Sequence, residues 1–243
     1  ALPDGLQQTE VDGRLLRVGE AVDRFYVLEN NGIYLSDAEV PVKDGKKMTV
    51  NGVELKAGDP KWGDKNGDNK ITDEDKVLKG HSLPKYTGGF STKLKFKRFD
   101  LGASFFFAAG QSAMNYRAYQ QYDFTTLDKG DNLAGVKEIF FWQSGNVPMD
   151  YPRYNVLSGV HPYRADQDLY LEKVSYLKLR SVTLGYSVPA PKHDVYVYVS
   201  GNNLFTVSNF SGDDPELVDF DGYYRGYGMG IPRSVTLGVR CSF

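Results

Sequence analysis

Apolar and polar residues alternate one for one over long stretches of the second half of the chain. Phe99, Leu101, Ala103, Phe105 and Phe107 fall on one side of an extended backbone, and Asp100, Gly102, Ser104 and Phe106 on the other. Just before them, Leu94 and Phe96 alternate with Lys93, Lys95 and Lys97, with a tight turn at Arg98 between the runs. A period of two is the signature of a strand with one apolar face. From Asp168 the alternation resumes through Val188, but its parity changes. Leu177 and Leu179 are odd, while Val182, Leu184, Tyr186 and Val188 are even. One extra residue in the strand, a bulge near Arg180-Ser181, restores a single apolar face. After a turn at Pro189-Ala190-Pro191-Lys192, Val195, Val197 and Val199 alternate with Tyr196, Tyr198 and Ser200. The last run places Val235, Leu237, Val239, Cys241 and Phe243 on one side and Ser234, Thr236, Gly238, Arg240 and Ser242 on the other. Covering such a face gains ~1.5–3 kcal/mol per large side chain, so it demands a partner surface or lipid. A closing strand of a membrane barrel, ending in the aromatic read by the barrel-assembly machinery, meets that demand.

Residues 1–85 are patterned differently. Arg24–Glu29 and Gly32–Leu35 are short β-like pieces with Asn30-Asn31-Gly32 as a turn between them. Residues 47–56 predict a hairpin, because Asn51-Gly52 supplies the two left-handed positions of a type I′ turn. The two remaining polar stretches, 111–167 and 208–230, are long loops rich in aromatic residues, Gly and Asp. Within the first, Leu133, Val136, Ile139 and Phe140 fit one face of a short helix over 132–142 with Asp131 as its N-cap. The expected organisation is therefore 1–85 as strands plus an outer loop, then 86–243 as C-terminal barrel strands with two long loops.

Composition sharpens the membrane question. No window approaches the ~18 consecutive apolar residues of a spanning helix, but a barrel strand needs only ~9–11 residues with every second one apolar. Seventeen Tyr, fourteen Phe and 26 Gly among 243 residues suit strands and aromatic girdles. A net charge of −2 gives no basic stripe for nucleic acid. The single Cys241 excludes an internal disulfide and a Cys-rich zinc site, and His81, His161 and His193 are too scattered for one. No nucleophile elbow, metalloprotease motif or phosphate-cradling loop is present, so the chain reads as a non-enzyme. Asp213, Asp214 and Glu216 form a carboxylate cluster whose spacing in space the sequence leaves open. Ala1-Leu2-Pro3-Asp4-Gly5 has neither the basic nor the apolar part of a signal peptide and reads as mid-protein sequence.

One segment has metal-ligand spacing. Asp64, Asn66, Asp68 and Asp75 take positions 1, 3, 5 and 12 of a calcium loop; Lys70 at position 7 offers its carbonyl, and Thr72 at position 9 acts through water. Ile71 anchors the loop to apolar neighbours. Asn69 replaces the glycine of position 6, and Asp75 is shorter than the usual Glu. The expected cofactor is a structural calcium ion.

Several stretches together resemble the SusC/RagA family of TonB-dependent outer-membrane transporters. They are Gly58–Asp68, Lys173–Tyr186, Gly201–Thr206, Asp214-Pro215-Glu216 and Pro232–Gly238. The resemblance implies an all-β fold, a transmembrane antiparallel β-barrel of which this chain is the C-terminal portion; such barrels have ~22 strands around a plugged lumen. It implies a bacterial outer-membrane location and import of glycan or peptide oligomers. The implied partners are the rest of the transporter with its plug, a SusD-like surface lipoprotein, TonB acting through the plug-bearing part, and lipid. Trp142, Tyr151, Tyr154, Tyr223, Tyr224 and Tyr227 can stack on sugar or grip peptide, but girdle or lid contacts explain them as well, and no substrate residue is assigned. About six to eight strands can be counted, and eight close a small barrel, so a stand-alone outer-membrane barrel is the first alternative. A secreted carbohydrate-binding β-sandwich with a calcium turn is the second.

Overall fold

A computed structural model describes residues 6–11, 14–122, 151–153, 159–189 and 193–242. The expected helix over 132–142, the turn at 190–192, Trp142, Tyr154 and Phe243 lie outside the described residues. The chain divides into two compact units, Ala1–His81 with Met114–Leu171, and Ser82–Ala113 with Glu172–Phe243. The described residues 114–122, 151–153 and 159–171 fall in the first unit.

The first unit is built from short strands. Thr49–Val50 and Val53–Glu54 form the expected hairpin, with Asn51 and Gly52 at φ of 49° and 77°. Lys70–Ile71 adds to it in parallel, Ile71 opposite Val50. The turn expected at Asn30-Asn31-Gly32 is not a hairpin tip. Asn30–Ile33 is itself a strand, irregular in register and paired with Pro60–Trp62, while Phe25–Val27 pairs with Val77–Lys79. Gly32 takes φ of 106° within that irregular strand, so the glycine marks a bulge, not a reversal. These pieces enclose a core that includes Leu28, Tyr34, Met48, Val50, Leu55 and Trp62. Fully burying each such side chain contributes ~1.5–3 kcal/mol.

The second unit is one antiparallel sheet. Its five long strands are β1 (Tyr86–Phe96), β2 (Phe99–Asn115), β3 (Leu171–Val188), β4 (Asp194–Ser208) and β5 (Ser234–Ser242), side by side in that order. A two-residue strand, Tyr223–Tyr224, also pairs with β2. The β1–β2 turn has only two residues, Phe96 facing Phe99 in register, and Lys97 takes φ of 54°. In β3–β4, Leu179 faces Phe205 but Ser181 faces Asn202, which places the register shift at Arg180 as the parity change requires. Consequently Leu177, Leu179, Val182 and Leu184 end on one face of the sheet. Behind the strands, Ala113, Val174, Phe210 and Tyr224 form a small satellite core.

Candidate membrane-facing surface and acidic loop

The sheet of the second unit is two-faced, and its registers define the faces. Leu94 lies opposite Leu101, Phe96 opposite Phe99, and Phe90 opposite Phe105. Leu184 lies opposite Val199, which in turn lies opposite Leu237, and Val197 opposite Val239. These side chains are not covered. Leu237 is 76% exposed, Val235 72% and Phe96 71%, and Phe90, Leu94, Phe205 and Val207 are exposed too. A contiguous apolar patch across five strands exceeds what a water-facing surface tolerates and marks a surface that meets lipid or another protein. Val235, Leu237, Val239 and Cys241 are all on this face. Among the described residues no helix is long and apolar enough to cross a membrane.

The opposite face is polar. Thr183 pairs with Ser200, Gly185 with Tyr198 and Ser187 with Tyr196. Two tyrosines lie flat across glycines: a Cβ at Gly185 would stand 1.8 Å from the Tyr196 hydroxyl, and one at Gly238 would stand 2.3 Å from Tyr198. Tyr196 thereby reaches over β3 and donates to Asp100 Oδ2 at 2.5 Å. At the other end of this face Lys178, whose side chain is 1% exposed, pairs with Asp214 at 3.1 Å and Glu216 at 2.6 Å. Glu216 also meets Arg180 at 2.7 Å. The carboxylate cluster of the sequence is thus neutralised structurally. Asp213 Oδ2 accepts from the Tyr224 hydroxyl at 3.0 Å. A buried lysine needs carboxylate partners to offset its desolvation, and the Asp-Pro-Glu turn supplies two.

The acidic loop is ordered by its own amides. Asp64 accepts from Gly67 N–H at 2.7 Å and Asn69 N–H at 2.8 Å. Asn66 Oδ1 accepts from Asp68 N–H, and Asp68 Oδ1 from Lys70 N–H. Asp75 is fully buried: one oxygen accepts from Lys65 N–H at 2.8 Å, the other from Thr72 N–H at 2.8 Å. Asn69 is left-handed at φ of 65°, as a residue standing for the usual glycine must be. Ile71 is buried in the core of the unit. Among the described residues, no three Asp, Glu, His or Cys side chains converge tightly enough to hold a metal ion. The two Asp64 oxygens and Asp68 Oδ1 each accept one N–H and keep a second lone pair for a hard cation, whereas each Asp75 oxygen already accepts two bonds, from Lys65 and Asn66 N–H and from Thr72 N–H and hydroxyl.

Contacts around the loop went unforeseen in the sequence. Asp59, from the Gly-Asp-Pro segment, is buried and held by Arg153 through two bonds, Nε to Oδ1 at 2.8 Å and Nη2 to Oδ2 at 3.2 Å. Buried Gln167 accepts from Trp62 Nε1 and Asn30 Nδ2, and donates to the carbonyls of Pro162 and Arg164. Glu29 sits between Lys65 at 2.5 Å and Lys79 at 2.7 Å. The Lys65 and Lys79 hydrogen bonds hold its carboxyl at about 2. Burial would raise Asp166, but Arg164 and Lys76 bring it below the usual carboxylate range. The Asp59–Arg153, Gln167–Trp62 and Gln167–Asn30 partners are 94, 105 and 137 residues apart, so no local motif announces them. The only signal was the buried-type Asp in a Gly-Asp-Pro turn.

No protein-family model matches the chain. Two TonB-dependent receptors of Formosa agariphila, P26 and P3, are each 29% identical to it, over 94% and 84% of this chain but only 23% and 19% of their own length. The TonB-dependent receptor SusC of Bacteroides thetaiotaomicron is 27% identical over 74% of the chain and 17% of its own length. Among solved structures, the RagAB peptide importer in its open-open state superposes over 100% of this chain and 25% of its own, with a TM-score of 0.70 at 20% identity. A second RagAB peptide transporter structure gives 0.64 at 19%. The chain spans about a sixth to a quarter of the length of these proteins. In sequence it is a relative of TonB-dependent receptors, SusC among them, and in fold it matches a section of RagAB.

Proposed function

We propose that this chain is the C-terminal wall section of a SusC-like, TonB-dependent importer in a bacterial outer membrane. The observation that carries the reading is the uncovered apolar face shared by five adjacent strands of 9 to 18 residues. Crossing the hydrocarbon takes ~9–11 residues per strand, so each is long enough. The two-residue Lys97–Arg98 turn then lies on the periplasmic side, and the long connections lie outside the cell. The rest of the wall and the plug come from the remainder of the transporter. TonB acts through that remainder, and a SusD-like lipoprotein covers the outer mouth. Glycan or peptide oligomers are the cargo. The kinship with receptors rather than enzymes supports a transport role without chemistry on the cargo.

The alternatives fare worse. Among the described residues five long strands form an open sheet, and the match to sections of much longer receptors favours a large wall over a barrel of ~8 strands. A sandwich would need a second sheet over Leu237, which is among the most exposed apolar residues. Uptake of labelled oligosaccharides and oligopeptides by cells carrying the full-length protein tests the reading. Uptake of one class that stops when TonB is deleted is the expected result; unchanged uptake without TonB contradicts it.

We further propose that a calcium ion stiffens the acidic loop, bound by Asp64, Asn66, Asp68 and Asp75 with the Lys70 carbonyl and a Thr72-held water. The spacing and the left-handed Asn69 support this. Calcium should raise the melting temperature of the full-length protein relative to chelator. Asp64→Asn with Asp68→Asn should remove that difference; an equal melting temperature with and without calcium in the parent protein rules the ion out.

A further inference from the structure

Among the described residues, Lys178 is the one buried lysine or arginine. Its Nζ lies 3.1 Å from Asp214 Oδ2, 3.5 Å from Asp214 Oδ1 and 2.6 Å from Glu216 Oε2. With both oxygens of one carboxyl group so close, the amine stands against the carbon between them, near the ~3–3.5 Å at which reacting atoms are poised. The surroundings are apolar. Val174 and Tyr176 lie on the Lys178 side of β3 and pack with Phe210, Leu217, Val218 and Tyr224.

An ion pair held here has lost its hydration, and its mutual attraction offsets that loss only in part. Joining the two groups as an amide removes both charges at once. What remains, Glu216 with Arg180 at 2.7 Å, is a neutral pair. The two carboxylates are not equivalent. Glu216 has a second cation, Arg180, to hold it in place. Asp214 pairs with no cation but Lys178 among the described residues. Its Oδ1 accepts the Glu216 backbone N–H at 3.0 Å. That donor is aimed at the oxygen on which negative charge builds when the carboxyl carbon is attacked.

We propose that Lys178 and Asp214 condense spontaneously into an isopeptide bond, with Glu216 as the catalytic acid and base. The Nζ–Cγ bond forms and the Cγ–Oδ2 bond breaks. One ammonium proton passes directly to Oδ2, and a second reaches it by way of Glu216 Oε2, so Oδ2 departs as water. The third proton stays on the amide nitrogen, and no oxidant or cofactor takes part. The link ties β3 to the Asp-Pro-Glu turn beyond β4, 36 residues further along the chain. A covalent tie of this kind restricts the unfolded chain as a disulfide does. With Cys241 as its single cysteine, the chain has no internal disulfide to serve that purpose. The inference goes beyond the importer reading and does not depend on it.

Tryptic mapping of the denatured full-length protein by mass spectrometry tests this. The expected result is a branched peptide in which Lys178 is joined to Asp214, lighter by one water molecule than its two linear parts together. Lys178→Arg keeps a cation between the carboxylates and should lack the branch. Glu216→Gln should lower the yield of the branch at least tenfold in freshly folded protein. Linear peptides carrying Lys178 and Asp214 separately, with no branched form in the parent protein, overturn the proposal. A branch at Glu216 in place of Asp214 overturns it too, as does a branch formed at full yield in Glu216→Gln.

Discussion

Tyr196 can lie across the neighbouring strand because position 185 has no side chain. A Cβ there would overlap the tyrosine hydroxyl at 1.8 Å, so the ring would have to leave and the bond to Asp100 would break. Gly185→Val should therefore destabilise the assembled barrel by about 1–3 kcal/mol, the usual cost of overpacking. Tyr196→Phe, which keeps the ring, should cost less. Urea unfolding of the reconstituted full-length protein measures both, and equal losses would show that the hydroxyl, not the ring placement, dominates. Glu29 gives a pH prediction. Its pKa is lowered from 4.5 to about 2 by Lys65 and Lys79, so its contribution to stability is complete above 4.5 and is lost as pH falls through about 2. Glu29→Gln should abolish that contribution, leaving the mutant less stable at neutral pH but converging with the parent near pH 2; parallel acid-unfolding curves would disagree. These partnerships were not legible in the sequence because they join residues far apart along the chain. Asp75 shows a half-legible case: its spacing singled it out, yet its complete burial and its bonds to Lys65 and Thr72 appear only in the fold.

At the level of elements, side-chain alternation is a strong constraint because a one-residue slip moves every side chain to the other face. That is why the Arg180 bulge could be placed from the parity of Leu177, Leu179, Val182 and Leu184 alone. Deleting Arg180 would remove the bulge and leave both apolar runs on one face, at the cost of the Arg180–Glu216 pair. Inserting a residue after Leu184 would turn Tyr186 and Val188 toward the polar side. Heat-modified mobility of the membrane-inserted protein should thus be kept by the deletion and lost with the insertion. If both assemble equally, the face assignment is wrong. The short strands of residues 25–79 were harder to read. Asn30-Asn31-Gly32 carries turn chemistry, but the partner of Asn30–Ile33 is Pro60–Trp62 and that of Phe25–Val27 is Val77–Lys79. Three-residue strands carry too little alternation to declare their partners. The Asn51-Gly52 hairpin was readable because its turn is closed locally by two left-handed residues.

The whole molecule divides into a unit with an enclosed apolar core and a sheet whose large side chains point outward. An enclosed core stabilises a fold in water; an outward apolar face is stable only against something else. The sequence carried this distinction in its last ten residues, where Val235, Leu237 and Val239 alternate with Ser234, Thr236 and Gly238. The charge of the other side of the sheet was not legible, because residues such as Lys93 and Arg240 are brought to one face only by the strand registers. Site-directed spin labels placed singly at residues 234 to 241 of the full-length protein in bilayers test the central claim most directly, by comparing relaxation by lipid-soluble oxygen and by a water-soluble nickel chelate. Oxygen contact should peak at 235, 237, 239 and 241 and fall at 234, 236, 238 and 240. Nickel contact peaking at the odd positions, or no alternation at all, would contradict it.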